Sequence, residues 1–69
     1  MWSADIVNNP DHDYRLYMEL LEDEQQYRGR VDLDDHGQLV LQIYPTESIL
    51  TIPLAWLIGI LTQAQKDLG

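Results

Sequence analysis

The chain contains no cysteine, which excludes disulfides, thiolate metal sites, zinc fingers and CxxC redox chemistry. That absence fits a reducing, cytosolic compartment. Basic residues are scarce: four Lys and Arg stand against twelve Asp and Glu, a formal net charge of -8. Such a surface repels phosphate backbones, so direct nucleic-acid binding is disfavoured. A basic protein partner is favoured, because opposite fields steer encounter. Long apolar runs are missing as well. The longest, residues 52–61, is interrupted by Pro53 and Gly59 and reaches about half of the roughly 20 residues a membrane helix needs. Residues 1–10 have neither the basic start nor the apolar stretch of a secretory signal. A soluble, cytoplasmic protein with no membrane contact is expected.

At 69 residues the chain has room for a single domain with a modest core. Small domains usually add a disulfide, a metal or a partner. Here association or unusually good packing has to supply that support.

Residues 1–13 read as an N-terminal arm. Asn8-Asn9-Pro10-Asp11 has turn chemistry, since Asn tolerates the left-handed region and Pro fixes φ. Trp2, Ile6 and Val7 are apolar enough to dock, in a conformation left open. Strands are expected from period-two alternation over 14–21, 26–33 and 38–44, with a short fourth strand at 48–52 after the Pro45-Thr46-Glu47 turn. Leu16, Met18, Leu20, Val31, Leu33, Leu39, Leu41 and Ile43 fall on the apolar face.

Two hairpin registers follow. Asp35-His36-Gly37 suits a three-residue loop with Gly37 in the left-handed position, which sets Leu33 opposite Leu39 and Val31 opposite Leu41. For the first hairpin, a break at 22–25 sets Leu20 opposite Tyr27, Met18 opposite Gly29 and Leu16 opposite Val31. Glu19 then faces Arg28 and Arg15 faces Asp32, two opposite-charge pairs.

Over 53–68 the pattern changes to a helical period. Leu54, Leu57, Ile58, Leu61 and Leu68 share one face, and Pro53 suits a first turn. The fold class is therefore α+β: a small antiparallel β-meander of about four strands over 14–52, packed against one C-terminal α-helix, in one domain spanning 1–69.

Three groups of residues are candidates for a partner-binding site. Acidic residues gather at the two ends of the sheet, Glu22, Asp23 and Glu24 at one and Asp34 and Asp35, with Asp11, Asp13, His12 and His36, at the other. The run from Asp32 to Gly37 resembles the start of an EF-hand loop, but His36 holds its fifth position and Ile43 its twelfth, where a bidentate Glu is required, so no metal is assigned. The outer sheet face interleaves Arg15, Arg28 and Arg30 with Tyr17 and Tyr44, a set able to grip carboxylates or stack on planar groups. On the helix, Trp56 and Ile60 point away from the leucine stripe and are expected to be exposed unless the arm covers them.

No phosphate loop, zinc-protease helix or nucleophile elbow is present, so neither an enzyme nor a cofactor site is expected. The composition points to a small acidic protein-interaction module, of the inhibitor or accessory-factor kind, with a basic protein partner. Two alternatives stand beside it. One is a nucleic-acid mimic that inhibits a DNA- or RNA-binding protein. The other is a homodimeric structural domain without a ligand, joined through the back of its helix.

Overall fold

A computed structural model describes residues 1–69. Its elements are β1 (Ser3–Asn9), β2 (Arg15–Asp23), β3 (Gln26–Leu33), β4 (Leu39–Ile43) and α1 (Leu54–Leu68). The strands form one antiparallel sheet in the order β1-β2-β3-β4, and α1 lies on one face over the central pair. The α+β class, the four-stranded meander and the covering C-terminal helix are all present.

The fourth strand is not at 48–52. It is β1, drawn from the N-terminal arm, which pairs with β2 from Ser3↔Leu21 to Asn9↔Arg15. Residues 44–53 have no regular structure. They include Pro45 and Pro53, which cannot donate to a ladder, and the Thr46 hydroxyl donates to the Ser48 carbonyl at 2.6 Å. The Asn-Pro turn joins β1 to β2 as read. Asn9 Oδ1 accepts from the Asp11 amide at 3.0 Å, capping a short 3-10 turn (Pro10–His12). Asp13 and Tyr14 follow at φ 55° and 58°, so two non-glycine residues in the left-handed region reverse the chain.

The second hairpin has the expected register, Leu33↔Leu39 and Val31↔Leu41. The Asp34 amide donates to the Gln38 carbonyl at 2.9 Å, and Gly37 takes φ 75°.

The first hairpin is shifted from its expected register. Met18 faces Val31, Glu19 faces Arg30 and Leu20 faces Gly29. The cause is a tighter turn: only Glu24 and Gln25 lie between the strands, and Asp23 Oδ1 accepts from the Gln25 amide at 3.0 Å. Two irregularities in the ladder leave Glu22 and Arg28 without cross-strand partners, and these two bond to each other, Nε to Oε1, at 2.8 Å. Both Leu20 and Leu21, neighbours in β2, are buried as a result of this broken alternation.

Met18, Leu20, Val31 and Ala64 form the core, with Ala4, Leu39, Trp56, Leu57, Ile60, Leu61 and Leu68 packed around them. Gly29 fits beneath this layer because a Cβ there would stand 2.5 Å from the Gln42 carbonyl oxygen. The helix is rolled relative to the leucine stripe. Ala64, the small residue, makes the closest approach, while Leu54 and Ile58 are left 69% and 57% exposed. No helix is long and apolar enough to cross a membrane.

Candidate functional site

The meander brings the β1–β2 and β3–β4 loops to one end of the sheet and the β2–β3 turn to the other. Asp11, Asp13, Asp34 and Asp35 thus share one end, and Asp23 and Glu24 mark the opposite one. Asp34 is fixed in place, its Oδ1 accepting from the amides of His36 and Gln38, both at 2.9 Å. His12, Arg15, Asp32, Asp34 and Asp35 border an open recess of about 270 Å³ on the outer face. No three carboxylates or imidazoles converge in the manner of a metal centre.

The outer face does gather Arg15, Arg28, Arg30 and Tyr17, but as a network bonded largely to itself. Arg28 is held by Glu22 and by Gln26 Oε1 at 2.7 Å, not by Glu19 as the expected register implied. Arg15 does meet Asp32, diagonally across the strands, with Nε 3.4 Å from Oδ1, and its Nη2 donates to the Leu33 carbonyl at 3.0 Å. Asp32 is buried, and its Oδ1 also accepts from the Leu33 amide at 2.8 Å. Arg30 Nε donates to Gln42 Oε1 at 3.0 Å, and its guanidinium carbon lies 5.8 Å from the centre of the Tyr17 ring. The Tyr17 hydroxyl donates to Glu19 Oε1 at 2.7 Å. That bond, reinforced by desolvation and by the Glu19 charge, pushes the Tyr17 pKa up to about 12. Tyr44 sits just beyond the end of β4 and is 38% exposed.

Trp56 and Ile60 are not the exposed back of the helix. Both pack against the core, and Trp56 meets Trp2, ring centroids 5.5 Å apart. The arm meets Trp56 because β1 runs alongside β2 and delivers Trp2 to that point, while Ile60 is half-buried against the core. Exposed large aliphatic side chains lie elsewhere and are spread over the fold: Leu41 and Ile43 of β4, Leu54 and Ile58 of α1, Ile6 of β1, Leu16 of β2 and Ile49 of the segment before α1. An apolar recess of about 190 Å³, bordered by Leu39, Leu41, Leu61 and Ala64, runs between β4 and α1. The sequence carries a signal for this surface. Leu54, Trp56, Leu57, Ile58, Ile60 and Leu61 crowd one stretch of helix with more apolar residues than a single face can bury.

The chain matches no protein-family model, and neither the curated proteins nor the solved structures include a significant match to it.

Proposed function

We propose that this chain is a small acidic protein-interaction module, of the inhibitor or accessory-factor kind, which binds a basic protein partner in the cytoplasm and catalyses no reaction. The observation that carries this reading is how the charge is shared out. Only two ion pairs form, Arg15–Asp32 and Arg28–Glu22. Asp11, Asp13, Asp34 and Asp35 at one end, and Asp23 and Glu24 at the other, have no cation paired to them. Two of them, Asp23 and Asp34, are fixed by bonds to nearby amides, so one carboxylate at each end is pre-organised for a cationic surface.

Nucleic-acid mimicry would use the same carboxylates. Arg15, Arg28 and Arg30 lie on the face between the two ends and interrupt a phosphate-like row, which favours the basic-protein reading. The test uses wild type and two charge-reversed forms, Asp34→Lys with Asp35→Lys and Asp23→Lys with Glu24→Lys, as baits in a native lysate. Captured proteins are then purified and titrated at two salt concentrations. A basic protein held by wild type, released by at least one reversal and bound more weakly in salt is the expected result. Equal capture by all three baits, or salt-independent affinity, would overturn the reading.

A further inference from the structure

We infer that the recess on the outer sheet face beside Asp32 takes one lysine side chain of a protein partner, its ammonium group bonded to the Asp32 carboxylate. The inference rests on the basic-partner reading and adds to it the chemical group that is recognised.

Asp32 lies near the end of β3, opposite Val40 of β4, and is 5% exposed. A carboxylate buried so deeply is normally bonded through both oxygens, because an acceptor taken from water without a donor costs free energy. Here the contacts fall on Oδ1. The Leu33 amide donates to it at 2.8 Å, and Arg15 Nε lies 3.4 Å from it without forming a hydrogen bond. Oδ2 accepts no hydrogen bond. Arg15 Nε is the only fully enclosed side-chain polar atom that lacks a hydrogen-bond partner, so Oδ2 is still open to solvent, and Asp32 borders the recess.

The neighbouring groups leave that oxygen free. Arg30 also borders the recess but is turned to neutral partners, with Nε on Gln42 Oε1 and the guanidinium over the Tyr17 ring. Arg15 Nη2 is held by the Leu33 carbonyl. At the rim, Asp34 spends Oδ1 on the amides of its own loop and keeps Oδ2 free. With Asp35, three carboxylates border the recess against two guanidiniums, so one added positive charge balances it.

The floor favours lysine over arginine. A guanidinium is a planar fork that pairs best with two coplanar acceptors, whereas Asp32 offers one oxygen. An ammonium is a point donor that can bond to Oδ2 and leave its other N–H groups to the rim or to water. Leu33 and Val40 give the walls apolar surface for the methylene stem. At about 270 Å³ the recess holds one long side chain, not a strand or a helix.

Titration of the isotope-labelled full chain with N-acetyl-lysine methylamide, followed by backbone amide shifts, tests this. The arginine and norleucine analogues serve as comparisons. Lysine is expected to give saturable shifts at Leu33, Asp34 and Val40, arginine a weaker response, and norleucine, which has no ammonium, none. Asp32→Asn, whose fold the spectrum itself checks, should weaken lysine binding about tenfold or more. Asp23→Lys with Glu24→Lys, at the far end of the sheet, should change it by less than about twofold at physiological salt. If Asp32→Asn unfolds, the contrast between lysine and norleucine in wild type decides the matter. No saturable shift at the recess, equal binding of norleucine, or a folded Asp32→Asn that binds like wild type would overturn the proposal. The partner reading fails separately. Lysine seated at Asp32 in a chain that captures no basic protein would sink that reading and leave lysine recognition standing. A captured basic protein indifferent to Asp32→Asn would do the reverse.

Discussion

The indole of Trp2 lies 5.5 Å from that of Trp56, tilted by 45°, and ties the start of β1 to the first turns of α1. Aromatic pairs at this separation contribute about 0.5 to 1.5 kcal/mol beyond the area they bury. Because both rings are only partly buried, Trp2→Ala should lower stability by about 2 kcal/mol, below the figure for a fully buried tryptophan. Urea unfolding followed by circular dichroism, on the two single alanine variants and the double, measures the pair. An unchanged midpoint in Trp2→Ala would mean that this end of β1 is not docked.

Two glycines should respond to alanine with opposite signs. At Gly29 a Cβ would meet the Gln42 carbonyl oxygen at 2.5 Å, a backbone atom held in the ladder. Gly29→Ala should cost about 1 to 3 kcal/mol through forced strand displacement. Gly59 sits in an exposed part of α1 with nothing within 4 Å of a Cβ. Gly59→Ala should stabilise by about 0.5 to 1 kcal/mol, from helix propensity alone. Thermal melts of the two variants against wild type decide it; a shared direction of shift would contradict the packing described at one of these sites.

Local chemistry was the most readable part of this fold. Gly37 supplied the left-handed residue that its loop demands, and the Leu33↔Leu39 register followed from it. The β2–β3 register was harder, because Glu22-Asp23-Glu24-Gln25 carries no obligatory turn residue. There the outcome depends on where Leu20 and Leu21 can both be buried. The roll of α1 was unreadable for a related reason: apolar residues occupy most of its first two turns, so only contact with Trp2 and the small Ala64 selects the face. The conformation of the arm stayed open in the sequence, since Ser3–Asn9 alternates weakly and gains its order as β1 from pairing with β2. Of the candidate site, the two acidic ends could be read from turn positions alone, while the β4–α1 apolar surface required knowing which helical face is used.

Tyr17 should make the protein sensitive to alkali. Its pKa is about 12 when folded against 10.0 for an ordinary tyrosine, because the hydrogen bond to Glu19 favours the neutral phenol. A group whose folded pKa is raised contributes its full stabilisation below its unfolded value and loses it as pH climbs to the folded one. Stability should therefore hold level as pH approaches 10 and, through this group, decline between about pH 10 and 12. Ultraviolet titration of tyrosinate should contain a late component that moves to lower pH in Glu19→Gln. If the late component persists in that variant, Glu19 is not its cause.

Asp32 is 5% exposed, and Arg15 is the cation that faces it, from a position still one-third open to solvent. Removing a single partner of such a pair strands the other, and this usually costs more than removing both. Arg15→Ala leaves the Asp32 carboxylate with only the Leu33 amide, and should destabilise by about 1 to 3 kcal/mol, below the roughly 3 to 5 kcal/mol of a fully buried pair because solvent reaches the guanidinium. Asp32→Asn keeps an acceptor oxygen for the Leu33 amide but strands a charge that can turn toward water, so it should cost less. The double variant, Arg15→Ala with Asp32→Asn, carries no stranded charge and should be more stable than Arg15→Ala alone. Urea midpoints at neutral pH for the four proteins of this cycle measure the coupling directly. If the double variant is no more stable than Arg15→Ala, the loss comes from Arg15's packing and its bond to the Leu33 carbonyl, and the ion pair with Asp32 contributes nothing to the fold.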